Sequence, residues 1–296
     1  MSAYTQQSKN IFRTWLLMFI FIGLVSSLSL VVALLTENTA FIFIGLFISL
    51  FQSFVAYFFG DKIALASAGA KRVSYEEYPQ VYEITQNLAK IAGIPLPKIH
   101  ISPDLSANAF ACGRNPKNAS ICLNQGLLNL LNKAEIEAVI AHELAHIKNR
   151  DILVMTVTMV LTSLVSFLAD MGFYIFMSGR GNDRQENNSN NGFILFLIYI
   201  ALSTIAPVLS AVISMAVSRK REYLADATAV IMTRYPEGLI NALTKLYNSP
   251  VPTQHYSTSM NHFYISPPKK RFGEKISGLF STHPPIKDRI KALQQM

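Results

Sequence analysis

Apolar positions gather into four long runs, at residues 14–35, 41–59, 152–177 and 193–217, each near the roughly twenty residues a helix needs to cross a bilayer. Thr36-Glu37-Asn38-Thr39 joins the first two, and an Asn- and Gly-rich stretch at 179–192 reads as a loop between the last two. Asp170 lies inside the third run, where a charge is costly unless paired or near the interface, and Pro207 predicts a kink in the fourth. Elsewhere the period changes. Helical spacing runs from Tyr75 to Ala92 and stops at Gly93 and Pro95. Short strands are expected at 98–102, 107–112 and 119–123, with Gly113-Arg114-Asn115-Pro116 as the turn between the last two. Asn132 and Glu135 stand at capping-box spacing before a helix over 133–150. Helices follow at 218–232 and 286–295, with an aperiodic stretch at 249–281.

The fold class expected is an α+β integral membrane protein, with about four transmembrane helices and a mostly helical domain carrying a small β-sheet. Its parts are a transmembrane hairpin at 14–59, the first half of the domain at 60–151, a second hairpin at 152–217 and the second half at 218–296. Composition supports this: only 15% of residues are charged and 51% are hydrophobic, more apolar surface than a water-soluble fold of this size can cover. The first run exceeds a signal-peptide core and no clear cleavage site follows, so it reads as a retained anchor.

A net charge of +8 raises nucleic acid as a partner. Many of the basic residues, however, flank the apolar runs: Arg13, Lys62, Lys71, Arg72, Lys148, Arg150 and Arg219-Lys220-Arg221. That placement suits an anionic cytoplasmic leaflet, and no aromatic–basic interleaving accompanies it. The expected partner is the lipid bilayer and not nucleic acid. The same asymmetry puts both termini and the 60–151 region in the cytoplasm, against a weak contrary signal from Arg180 and Arg184. Cys112 and Cys122 are too few for a disulfide scaffold and read as small apolar residues on neighbouring strands.

Candidate chemistry centres on His142-Glu143-Leu144-Ala145-His146. Four residues apart on a helix, the two imidazoles share a face and can bind one zinc ion. Glu143 can then take the proton from a water that the ion polarises, as a general base in peptide hydrolysis. A catalytic zinc needs a third protein ligand, and no third His follows at close spacing. Glu222 is the candidate, with Asp226 four residues on as acceptor for a ligand His. By spacing alone Glu222 reads equally as a ligand or as a partner of Arg219. Two apolar runs separate His146 from Glu222, an even number, which keeps them on one side of the membrane.

The His142–His146 motif, the Glu222-x-x-x-Asp226 helix, and Thr282-His283-Pro284-Pro285 followed by Arg289 together resemble the HtpX family of membrane zinc proteases. These are gluzincins related to the CAAX prenyl proteases. The resemblance covers most of the chain; a polar N-terminal extension of about ten residues departs from the family's pattern. It implies a zinc metalloendopeptidase of the bacterial inner membrane, with one zinc per chain and a gluzincin-like catalytic domain facing the cytoplasm. The implied substrates are misfolded or damaged membrane proteins and unfolded proteins, in heat-shock-type quality control, with possible self-cleavage. His283 and Arg289 are implied as oxyanion-stabilising or substrate-positioning residues. As plain residues, His283 could instead lead into a helix and Arg289 could face solvent. Asn108, Ala109 and Phe110 are implied as part of an edge strand that pairs with an extended substrate, although Phe110 could simply pack inward. Two alternatives stand beside this reading: a CAAX-type prenyl-protein protease, and a non-enzymatic membrane scaffold with structural zinc. Four spans count against the first, and a carboxylate at Glu143 against the second.

Overall fold

The computed structural model describes residues 3–163, 219–249, 251, 264–265 and 284–296. The expectations for Asp170, the 179–192 loop, the fourth apolar run with Pro207, most of 249–281 and His283 lie outside the described residues.

Two long helices come first, α1 (Ala3–Thr36) and α2 (Ala40–Ser67). Both contain stretches long and apolar enough to cross a membrane, Gln7–Thr36 and Ala40–Ser67. They pack closely, since a Cβ at Gly45 would collide with Ser29, and Trp15 stacks on Tyr57 with centroids 5.9 Å apart. Their outer faces leave large apolar side chains bare: Phe19 is 68% exposed and Phe43 71%. Both helices outrun the apolar runs. The polar residues before residue 14 are helical too, and Asn10 and Thr14 are buried.

The sheet comprises β1 (Lys71–Arg72), β2 (Lys98–Ser102), β3 (Ala109–Asn115) and β4 (Asn118–Asn124), in the order β1-β2-β4-β3. β2 and β4 are parallel, the other pairs antiparallel, and β3 forms one edge. β3 runs past the expected turn because the register shifts between Gly113 and Asn115, with Gly113 at φ +136°. Glycine accepts that conformation, so the strand continues and the turn shrinks to Pro116-Lys117.

Helix α3 (Pro79–Ala92) starts four residues later than its periodicity suggests. Pro79 sits in its first turn, and the residue before a proline is disfavoured in the helical region; Tyr78 has φ −136° and ψ 63°. Gly93 ends the helix in the left-handed conformation, as its position predicts. After the short α4 (Gln125–Leu130) comes α5 (Lys133–Lys148). Its capping box forms: Glu135 N donates to Asn132 Oδ1 at 3.0 Å, and Asn132 N donates to Glu135 Oε2 at 2.8 Å. A two-residue turn with Arg150 at φ 58° leads into α6 (Asp151–Ser163), the described start of the third apolar run. α7 (Arg219–Thr233) and α9 (Ile286–Leu293) lie where helices are expected. α8 (Pro236–Asn248) does not come from that reading, though its buried Leu239, Ala242, Leu243 and Leu246 carry helical spacing.

The sheet separates two cores. One face packs Ile99, Ile121 and Leu123 against α3, α5, α7 and α8. The other presents Phe110, Cys112 and Cys122 to Leu17 and Phe21 of α1, Ala56 and Ala64 of α2, and Val157 and Val160 of α6. Both cysteines are free and buried on neighbouring strands. α5 is buried on nearly every side from Glu135 to Ile147, the signature of a central helix. Asn132→Ala removes the cap that starts this helix. It should lower stability by about 1 kcal/mol, read as an earlier denaturation midpoint in detergent.

Candidate metal centre

Helices α5 and α7 define the site. Small residues on α7, Ala225 and Ala229, are fully buried and let the helices approach closely. Successive pairs run in opposite senses along them, Glu222 near His146 and Asp226 near His142, while Arg221 lies near Asp151 at the start of α6. The helices are therefore antiparallel, and a one-turn spacing on each brings four functional side chains to one level.

His142 Nε2 and His146 Nε2 stand 3.2 Å apart. Glu222 Oε2 lies 3.7 Å from the first and Glu222 Oε1 3.6 Å from the second. A tetrahedral zinc with bonds of about 2.1 Å separates its ligand atoms by about 3.4 Å. The three side chains match that edge length, and they are the only such group among the described residues.

The outer nitrogens strengthen the match. His142 Nδ1 is 3.0 Å from Asp226 Oδ1, somewhat off line for the ring N–H, and His146 Nδ1 is 3.0 Å from Asp151 Oδ2. A carboxylate beside each Nδ1 fixes the proton there, so both Nε2 atoms present lone pairs to one point. Two lone pairs facing at 3.2 Å repel unless a proton or a metal cation lies between them. The electrostatics agree. Burial works against a charged imidazole at His142, yet the adjacent Asp226 and Glu222 carboxylates outweigh it and push its pKa up to about 9. A point that stabilises a proton so strongly also favours a metal cation.

Glu143 is buried, and no hydrogen bond to another described residue engages its carboxylate. Burial raises its pKa and the Glu222 charge adds to the rise, against the opposing pull of His142, His146 and Arg289. A carboxyl so placed can hold a proton in transit.

Arg289, from α9, is fully buried and not on a solvated face. It donates to Asp226 from Nε at 2.9 Å and from Nη2 at 2.6 Å, a two-pronged grip. Burial alone would raise the pKa of Asp226, but Arg289 and His142 bring it down to about 2. Arg289 Nη1 also donates to Ile265 O at 3.0 Å and lies 3.5 Å from Glu222 Oε2, while Nη2 stands 3.4 Å from His142 Nε2.

β3 runs beside α5 at the sheet edge. Asn108 O accepts from Asn124 N, so the main chain of Ala109 and Ala111 faces away from β4. Ala109 O accepts from Ile265 N at 3.3 Å, and Gly113 N donates to Thr156 Oγ1 at 3.1 Å. Phe110 packs inward, edge-on to Tyr264 at 6.1 Å.

Asp151 is the participant that the motif reading passes over. A carboxylate opening an apolar run needs a partner, and that was the available signal. Its partners are His146, Arg221 and, from α1, Asn10. Nothing in the composition or period of α1 marks Asn10.

Comparison with known proteins fits this geometry. The profile of peptidase family M48 matches residues 76–296. A protease HtpX homolog from Caldanaerobacter subterraneus subsp. tengcongensis is 44% identical over 259 residues, covering 87% of this chain and 85% of that protein. Another, from Tropheryma whipplei, is 38% identical over 294 residues, covering 99% and 98%. The crystal structure of S. mikatae Ste24p shares the fold at 19% identity, with a TM-score of 0.51 over 98% of this chain and 67% of that one. With its HExxH helix, its buried two-His, one-Glu group and two long apolar helices, the chain belongs to peptidase family M48, as a metallopeptidase of the HtpX type.

Proposed function

We propose that this chain is a membrane-embedded zinc endopeptidase that cuts cytoplasmic segments of misfolded or damaged membrane proteins and unfolded chains, itself included. The observation that carries the reading is the convergence of His142, His146 and Glu222 at tetrahedral spacing, with the unengaged carboxylate of Glu143 one residue from a ligand. His142, His146 and Glu222 would hold one zinc, which when bound would supply Lewis acidity for a water and the scissile carbonyl. Glu143 takes the proton from the attacking water and delivers it to the leaving amine, the role its raised pKa suits. Asp226 and Asp151 hold the two imidazoles by their outer nitrogens. Arg289 fixes Asp226 and adds positive charge beside the point where the carbonyl oxygen becomes negative. His283 is proposed to share that task.

In the same reading, residues 60–151 and 218–296 form one cytoplasmic catalytic domain, divided by a second membrane hairpin at 152–217 and anchored by the first at 14–59. The bare apolar faces of α1 and α2 support lipid contact. An extended substrate aligns with β3 near Asn108, Ala109 and Phe110. The main chain of Ala111 faces away from β4, the side on which a substrate strand would pair.

Glu143→Gln should retain zinc and lower peptide hydrolysis by about 10²–10⁴-fold; the decisive measurement pairs metal analysis with proteolysis of a model membrane protein in detergent. Full activity in the zinc-loaded variant would remove the proposed base. Glu222→Ala should lower bound zinc well below one per chain, and unchanged occupancy would disqualify the third ligand. Arg289→Met leaves Asp226 ionised and buried without its guanidinium partner. It should cost about 3–5 kcal/mol of stability, measurable by thermal or chaotrope unfolding.

A further inference from the structure

We propose that Asn10, in the first turns of α1, is a positioning residue for the metal centre: acting through Asp151, it fixes the orientation of His146. The inference rests on the zinc site proposed above and assigns to the N-terminal polar segment a task within it.

The geometry is continuous from α1 to the ligand. Asn10 is fully buried. Its Nδ2 donates to Asp151 Oδ1 at 2.7 Å and to Asn149 O at 3.0 Å. Asp151 Oδ2 meets His146 Nδ1 at 3.0 Å. One turn earlier on α1, Gln7 Nε2 donates to Lys148 O at 2.8 Å. The last carbonyls of a helix lack intrahelical donors. Here two α1 side chains supply donors where α5 ends, and the second also reaches the carboxylate behind His146. Arg221 also faces Asp151, with Nη1 3.7 Å from Oδ1. Asp151 is thus set by α1, α5 and α7 together, and Asn10 makes the shortest of these contacts.

The chemistry is directional. Asp151 and the Asn149 carbonyl can only accept, so the amide nitrogen of Asn10 must face them. Asn10→Asp keeps size and shape but turns donor into acceptor, setting a carboxylate against a carboxylate in a buried site. Asp151 then swings away or takes a proton, and His146 loses the contact that fixes its tautomer. A side chain that merely fastened α1 to the domain would affect stability without changing the ligand field.

The test uses the full-length protein in detergent, stripped of metal and reloaded. Zinc affinity is measured by competition with a chromophoric chelator, the ligand field by the visible absorption of the cobalt form, and folding by the thermal midpoint. Asn10→Asp should weaken zinc binding by about ten- to hundredfold and shift the cobalt bands, and Asn10→Ala should do so less. Combining Asn10→Asp with Asp151→Asn restores a donor–acceptor pair and should recover part of the lost affinity. Wild-type affinity and an unchanged cobalt spectrum in folded Asn10→Asp would overturn the proposal. If Asn10→Asp does not fold, the same outcome in Asn10→Ala overturns it. A lowered midpoint with unaltered cobalt bands and no recovery in the double variant would reduce Asn10 to a fastener. Failure of the wild type itself to bind zinc would instead defeat the metal-site reading on which this inference stands.

Discussion

The close antiparallel contact between α5 and α7 is the constraint on which the rest depends. It sets two imidazoles one turn apart against two carboxylates one turn apart, so one helix–helix register fixes both the candidate ligand set and its support. A slip of one residue along either helix would rotate these groups by about 100°. The small side chains of Ala225 and Ala229 permit the approach, and the core around α5 resists sliding because nearly every side of that helix is packed.

Around that contact the protein places charge where water is scarce. Glu143, Glu222, Asp226, Asp151, Arg221 and Arg289 are each at most 3% exposed. Buried charges persist only when paired or hydrogen-bonded. Arg289 exemplifies the solution: it grips Asp226, approaches Glu222 and closes on the main chain of Ile265. The same Ile265 is bonded through its N–H to β3, so the sheet edge and the metal centre share a joint.

The sequence made the local parts legible and left the long-range ones dark. Asn132 and Glu135 announced the capping box, and His142 with His146 announced a shared helix face, because both patterns close within a single turn. Tyr75–Tyr78 carries helical periodicity but is held outside α3 by the proline that follows, where backbone sterics outweigh pattern. β3 passed through an apparent turn at Gly113 because a glycine marks a bulge as readily as a reversal. Glu222 was even-handed by spacing and is drawn toward the histidines only by tertiary packing. Asp151 and Asn10 lie about 140 residues apart, and no periodicity encodes that contact.

The charges at the centre carry one more consequence. Four carboxylates, of Asp151, Glu143, Glu222 and Asp226, face two guanidiniums, of Arg221 and Arg289, around imidazoles whose outer nitrogens hold the protons. Fully ionised, these described residues sum to two negative units, the complement of one divalent cation. In a poorly screened interior, that balance favours a divalent cation at the site. In the proposed reaction, a proton passed from water to Glu143 would only move charge within this group of residues.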